Sequence, residues 1–205
     1  MIRTYRGFTV IELMVTISIM TVIMSVILFA YGKFSEKLSL NAAVQEISIA
    51  IRQTQTYGLS VKESGGAFNA GYGIYFNITD PANYYIFVDK NNDQMYDGGA
   101  SCASSGDCLV ENIPLRNAVT LNSICGAAFG GSLNCPADMN SPSGQSIKGM
   151  TITFLRPSTD AIIRFIKTDN TFYGGVFQTG KVNLRSVQGS TVGVTVENTG
   201  QISVQ

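Results

Sequence analysis

The sequence predicts an α+β fold in which one long N-terminal helix is followed by an antiparallel β-sheet head. A continuous apolar run extends from Phe8 to Gly32 and contains a single charged residue, Glu12. Beyond Gly32, apolar residues recur at intervals of three and four, which is the spacing of one helix face. The rest of the chain consists of short β-rich runs separated by turn residues.

The composition limits the classes of function that the chain can serve. Its 205 residues are enough for one domain with an appendage, and 14 basic residues balance 14 acidic ones. A neutral chain offers no strong field to nucleic acid, so no nucleic-acid partner is expected. The sequence contains no histidine, the commonest general base, and no constellation of catalytic groups stands out. We therefore expect a protein that is not an enzyme.

The apolar run predicts a membrane-spanning helix, and the charges before it predict the orientation of that helix. The 20 residues from Leu13 to Gly32 carry no charge, and a helix of that length spans about 30 Å, the thickness of the hydrocarbon core. Arg3 and Arg6 precede the run, so the N-terminus is expected in the cytoplasm and the head outside it. A secretory signal peptide has a shorter apolar region of about 7–15 residues followed by a small-x-small cleavage site, which the end of this run does not offer. A plain membrane anchor explains the length and orientation of the run but not the carboxylate of Glu12.

The segment from Gly7 to Val15 reads Gly-Phe-Thr-Val-Ile-Glu-Leu-Met-Val. With its basic leader and apolar helix, it closely resembles the cleavage and assembly motif of type IV prepilins and type II secretion pseudopilins. The resemblance implies that residues 1–7 are a leader removed by prepilin peptidase, which cuts after Gly7 and N-methylates Phe8. It also implies that Glu12 serves in assembly and that residues 8–32 form a transmembrane helix that becomes the filament core.

The same resemblance implies a pilin fold, a location and a set of partners. The chain would first be a single-pass protein of the inner or cytoplasmic membrane, and then part of an extracellular or periplasmic filament. Its partners would be other pilin or pseudopilin subunits, prepilin peptidase and the inner-membrane assembly platform. The alternative is a membrane-anchored extracytoplasmic binding module, including a DNA-uptake minor pilin.

Residues 33–58 predict an amphipathic continuation of the helix. Leu40, Val44, Ile47 and Ile51 form an apolar stripe at spacings of four, three and four. We expect this stripe to pack on the sheet, and we expect the helix to end near Tyr57 and Gly58, with the glycine as the stop signal.

Residues 59–205 form the predicted β-rich head. Tyr-Gly-Ile-Tyr-Phe at 72–76, Phe87-Val88-Asp89 with its polar turn, Ile152-Thr153-Phe154 and the C-terminal pattern resemble the minor pseudopilin H family. That likeness implies a minor subunit, without deciding between a pilus and a secretion or uptake system. The strands are expected at 72–78, 84–88, 150–155, 161–167, 172–178, 181–187, 191–197 and 201–204.

The four cysteines all lie in the predicted loop region 98–146, which shows little regular pattern. An even number of cysteines in loops is typical of disulfides in an oxidising compartment. A zinc site is the weaker alternative, because the spacings contain no Cys-x-x-Cys and no histidine supplements them. Of the three connectivities, we favour Cys102 with Cys108 and Cys125 with Cys135, which close short loops.

Residues 89–97 carry the front of a calcium-loop pattern. Asp89, Asn91, Asp93 and Asp97 place oxygen ligands at alternate positions, with a backbone carbonyl available at 95. The pattern departs from an EF-hand at Gln94, where glycine is expected, and at Ala100, where glutamate is expected. A polar turn is the favoured interpretation; calcium is the one cofactor that this sequence suggests.

Overall fold

The computed structural model describes residues 7–60, 70–98, 106–135 and 147–205. The leader residues 1–6 and Cys102 lie outside these ranges. The chain divides into two compact units, Met1–Leu38 and Ser39–Gln205. The division falls inside the predicted segment 33–58, so the second half of the helix belongs to the head.

One α-helix, α1, covers Val10–Leu59 and continues through Gly32 without a break. Its first part, up to Leu38, exposes its apolar side chains, and the helix is long and apolar enough to cross a membrane. Because no proline or inserted residue interrupts this stretch, no kink is expected.

The described part of the head contains ten strands, all paired antiparallel with their neighbours. The fold is therefore α+β, as the sequence predicts. The strands are β1 Gly71–Asn77, β2 Asn83–Asp89, β3 Cys108–Pro114, β4 Thr120–Ala127, β5 Ile147–Phe154, β6 Ala161–Lys167, β7 Phe172–Phe177, β8 Thr179–Arg185, β9 Thr191–Glu197 and β10 Ile202–Val204.

These strands form two sheets. The six-stranded sheet has the order β3-β2-β1-β5-β6-β7, and the four-stranded sheet has the order β10-β9-β8-β4. In the larger sheet, Ile74 of β1 lies opposite Ile86 of β2 on one side and Ile152 of β5 on the other. This register places three buried isoleucines in a row across the sheet face that forms the core.

The second half of α1 packs into the head through the predicted stripe. Leu40, Val44, Ile47 and Ile51 are fully buried in one core cluster with residues of both sheets. Ala43 and Ala50 complete the buried face, and their small side chains let the helix approach the strands closely. The amphipathic pattern therefore located the helix–sheet interface correctly.

The end of α1 differs in one respect from the sequence prediction. Gly58 lies inside the last turn of the helix, which ends at Leu59. A side chain at Gly58 would place its Cβ 2.6 Å from the carbonyl oxygen of Phe154 in β5. The glycine is required there because helix and strand backbones touch, and it is not a stop signal.

The region 98–146 is more regular than its composition indicates. It contains β3, at one edge of the larger sheet, and β4, which pairs with β8 in the smaller sheet. The prediction of an irregular surface loop is therefore wrong for these two strands. Both contain glutamate, asparagine or serine on exposed positions, so their β pattern is weak in the sequence.

Candidate functional site

The predicted cleavage position is exposed and precedes the helix. Gly7 and Phe8 lie before the first helical residue, Val10, and Phe8 is 69% exposed. A Cβ at Gly7 would meet no atom within 4 Å. No neighbouring group in the described chain therefore obstructs the approach of a peptidase to this peptide bond.

Glu12 lies in the first turn of α1, where sequence reasoning missed a local role for Thr9. The Glu12 amide donates to Thr9 Oγ1 at 3.3 Å, and the Leu13 amide donates to the Thr9 carbonyl at 3.1 Å. Thr9 is thus the N-cap residue, and Thr-x-x-Glu is the sequence signature of a capping box. Glu12 is also an acidic residue in the first turn, at the positive end of the helix dipole.

Four hydroxyl side chains in the apolar half of α1 form hydrogen bonds within their own helix. Thr16 donates to the Leu13 carbonyl, and Ser18, Thr21 and Ser25 each donate to a carbonyl one turn earlier, at 2.8 to 3.0 Å. Their hydroxyls therefore need no partner in lipid or on another helix.

One predicted disulfide is present in the head. Cys125 and Cys135 are bonded, and the Gly126 and Asn134 backbones exchange two hydrogen bonds just inside the bridge. The resulting stapled loop carries the exposed side chains of Phe129 and Leu133. Cys108 is also disulfide-bonded, while Cys102, its predicted partner, lies outside the described residues.

The predicted calcium ligands lie in a tightly hydrogen-bonded loop, residues 89–97, that we call the acidic loop. The two carboxylate oxygens of Asp89 accept from the amides of Asp93 and Gln94, at 3.1 and 2.9 Å. The side-chain nitrogen of Asn91, Nδ2, donates to carboxylate oxygens of both Asp93 and Asp97, at 2.8 and 3.1 Å. The loop is therefore organised around its acidic side chains.

A third carboxylate, which the sequence analysis did not identify, completes the cluster. Carboxylate oxygens of Asp89, Asp93 and Asp107 lie within 4.8 Å of one another, and we call these three residues the acidic cluster. Asp107 directly precedes β3, and the pairing of Cys108 with Val88 brings it beside the end of β2. Two oxygens that each bind one calcium ion at about 2.4 Å can lie up to about 4.8 Å apart, so the spacing suits calcium.

Burial makes the acidic cluster electrostatically unfavourable when it is ionised. Asp89 is 3% exposed and Asp107 is fully buried. Burial raises the pKa of Asp89 to about 6, with a further contribution from the Asp93 charge. Burial and the Asp89 charge raise the pKa of Asp107 to about 7. A divalent cation would favour the ionised form of these groups.

Gln94 occupies the position at which the EF-hand pattern has glycine, and it adopts the left-handed backbone conformation for which glycine is usually needed. It adopts φ of 66°, in the left-handed region. Its carbonyl accepts from Thr151 Oγ1 of β5 at 2.9 Å, and its side chain accepts from Arg164 of β6. These two contacts fix the acidic loop to the six-stranded sheet and offset the cost of the unusual conformation.

Comparison with known protein families gives a match at the N-terminus. Residues 2–28 match the family model of the prokaryotic N-terminal methylation motif. No curated protein and no solved structure matches the chain significantly. The matched residues include the predicted cleavage position, Glu12 and the first part of α1.

Proposed function

We propose that this chain is a filament subunit of the type IV pilin class, processed by prepilin peptidase between Gly7 and Phe8. The observation that carries the proposal is the methylation motif at residues 2–28 on an exposed apolar helix. Such a helix exposes far more apolar surface than a soluble protein tolerates, so it needs lipid or other helices around it. Membrane insertion followed by helix packing in a filament supplies both.

The assembly step follows from the charges at the helix start. Cleavage creates an ammonium group at Phe8, close to the positive end of the helix dipole, where a cation is unfavourable. A carboxylate of a neighbouring subunit's Glu12 would neutralise that ammonium. In an apolar environment the pairing is strong and removing one partner is costly, so the pair sets the axial register of an incoming subunit.

The variant Glu12→Val tests this role. We expect a protein that inserts into the membrane, is cleaved normally and folds, but that is depleted at least about tenfold from sheared filaments. Glu36→Val, which removes an acid from the same helix outside the motif, is the matched control and should be incorporated like wild type. Equal incorporation of both variants would refute the docking role of Glu12.

Processing is tested by mass spectrometry of the N-terminus of assembled protein. The proposal requires a first residue Phe8 that carries one methyl group. Retention of Met1, or a cut near Ala30 as in a secretory signal peptide, would contradict it. The head resembles the minor pseudopilin H family. We therefore propose that the chain is a minor subunit of a secretion pseudopilus, in preference to a surface pilus or a DNA-uptake apparatus.

We further propose that the acidic cluster binds calcium in the extracytoplasmic head. Support comes from the spacing of Asp89, Asp93 and Asp107 and from the burial of two of these three carboxylates. Asn91 and Asp97, the other two residues of the sequence pattern, are linked to Asp93 by the amide of Asn91. A flip of that side-chain amide, which exchanges its nitrogen and oxygen, would present the oxygen to the same ion.

A further inference from the structure

The outer face of the six-stranded sheet carries a cavity that the filament function does not use. Side chains alternate between the two faces of a strand, and in β1 the neighbours Ile74 and Phe76 join the core cluster that contains α1. Tyr75 therefore points to the opposite face, where it belongs to a separate aromatic cluster. Beside it lies an open cavity of about 400 Å³, which we call the tyrosine cavity. This volume is within the range of about 300–1,000 Å³ typical of small-molecule sites.

Three tyrosines form a continuous wall of the tyrosine cavity. The ring centroid of Tyr96 lies 5.7 Å from that of Tyr75 and 5.8 Å from that of Tyr85, and Tyr75 and Tyr85 are 6.2 Å apart. The Tyr85 hydroxyl donates to Asp80, which holds its ring in place. Because the rings touch one another, no gap remains between them for a cation, as an aromatic cage would need. The wall instead offers an apolar surface on its two partly exposed rings, Tyr85 and Tyr96, whose planes are inclined by 21°, while Tyr75 is 5% exposed.

The polar groups of the tyrosine cavity lie beside this wall. Lys148 Nζ donates to Asn170 Oδ1 at 3.0 Å, and an ammonium has three N–H groups, so further donors remain for a ligand. The Asn170 amide nitrogen is an additional donor. One carboxylate oxygen of Asp97 accepts from the side-chain amide of Asn91, and its other oxygen is an acceptor for a ligand.

The charges of the cavity discriminate between ligand classes. Lys148 opposes a bound cation, and Asp97 opposes a bound anion. The cavity therefore favours a neutral ligand with one apolar face and an edge rich in hydroxyl groups. A sugar ring has this character: its C–H groups pack on an aromatic face, while its hydroxyls both donate and accept hydrogen bonds.

We propose that the tyrosine cavity is a saccharide-binding site, in which the partly exposed rings of Tyr85 and Tyr96 pack on a sugar ring and Lys148, Asn170 and Asp97 bind its hydroxyls. The site lies entirely within the head, so the proposal is independent of cleavage and assembly at the N-terminus. It adds recognition of a glycan to a subunit whose helix serves the filament.

The test uses the full chain in a zwitterionic detergent without a sugar headgroup. The protein has no tryptophan, so its fluorescence comes from its nine tyrosines, three of which form the cavity wall. Glucose, galactose, N-acetylglucosamine and their disaccharides are titrated as probes, with tetramethylammonium and inorganic phosphate as cationic and anionic probes. Saturable quenching by at least one saccharide, with no saturable response to either ion, is the expected result.

Two variants keep the fold while removing polar contacts. Asn170 has φ of 61°, so Asn170→Gly removes its amide without backbone strain. Lys148→Met keeps the length of the side chain and removes its charge, and Lys181→Met, in the four-stranded sheet, is the matched control. Both cavity variants should weaken saccharide binding about tenfold or more, and Lys181→Met should not change it.

Three outcomes would overturn the proposal. The first is the absence of saturable binding of any saccharide to the wild-type chain. The second is wild-type affinity in both Lys148→Met and Asn170→Gly, which would place binding elsewhere. The third is saturable binding of tetramethylammonium or phosphate in preference to every sugar, which would show that the charges do not cancel as argued.

Discussion

Calcium should raise the thermal stability of the head through the acidic cluster. The pKa of Asp89 rises from 3.8 to about 6 on folding, so its ionised form costs about 3 kcal/mol at neutral pH in the absence of a cation. An ion bound to the cluster removes this cost. At calcium concentrations about a hundred times the dissociation constant, linkage adds about 2.7 kcal/mol to the free energy of unfolding.

The assay is thermal unfolding of the full chain in 10 mM calcium and in excess EGTA. Sites in extracellular modules bind calcium with dissociation constants of about 0.1–1 mM, so about 10 mM approaches saturation. This concentration is about 10–100 times those dissociation constants, so linkage adds about 1.4–2.7 kcal/mol. For a head of this size, 1 kcal/mol shifts Tm by about 2–4 °C, so we expect calcium to raise Tm by about 3–11 °C.

Substitution of one exposed ligand shows whether the stabilisation comes from this cluster. Asp93→Asn keeps the acceptor of the hydrogen bond from the Met95 amide and removes one charge. It should reduce the calcium-dependent shift to less than about 1 °C. Asp160→Asn, an exposed acid in another turn, should retain the full shift. Equal melting temperatures of wild type in calcium and EGTA, or an unchanged shift in Asp93→Asn, would refute the calcium site and leave a polar turn.

Three further predictions concern the head. In EGTA, the free energy of unfolding, measured with urea, should fall as pH rises from about 4 to about 7. The buried carboxyls of Asp89 and Asp107 have folded pKa values of about 6 and about 7, so the folded state binds more protons than the unfolded state in that window. A rise in the free energy of unfolding would contradict the burial argument. Replacing Cys125 and Cys135 together by serine opens a loop of sequence separation 10, and should cost about 2.7 kcal/mol in the same assay; a loss below about 0.5 kcal/mol would mean that the loop is ordered without its bridge. Gly73→Ala would place a Cβ 2.4 Å from the Phe87 ring and should cost about 1–3 kcal/mol, whereas Gly175→Ala, whose Cβ meets no atom within 4 Å, should cost less in a urea melt; equal losses would refute the overlap.

The sequence predicted those elements whose periodicity is strong. The apolar run and the stripe from Leu40 to Ile51 are unambiguous because a helix of this length repeats its pattern many times. The central strands β1, β2, β5 and β6 are rich in isoleucine, phenylalanine and tyrosine, and their positions were predicted to within a few residues.

The elements that were missed depend on tertiary pairing. β3 is an edge strand with three consecutive exposed residues, among them Glu111 and Asn112. Its sequence therefore lacks the alternation of apolar and polar residues that marks a half-buried strand. Without β3, nothing in the sequence places Asp107 next to Asp89, which lies 18 positions earlier. The acidic cluster was therefore visible only in part. The first turn of α1 carries a simple local signal, the Thr9-x-x-Glu12 capping pattern, which by itself predicts where the helix begins.

The hydroxyl groups along the first half of α1 have a consequence for subunit exchange. Thr16, Ser18, Thr21 and Ser25 satisfy their hydrogen bonds within the helix, so toward their surroundings they act as small, inert groups. If this segment moves from a bilayer to the interior of a filament, or returns, no hydrogen bond has to be broken or remade along its length. The polar interactions that change in that transfer are mainly those of the charged first turn near Glu12. The free energy of the transfer would therefore depend on this first turn more than on the rest of the apolar helix.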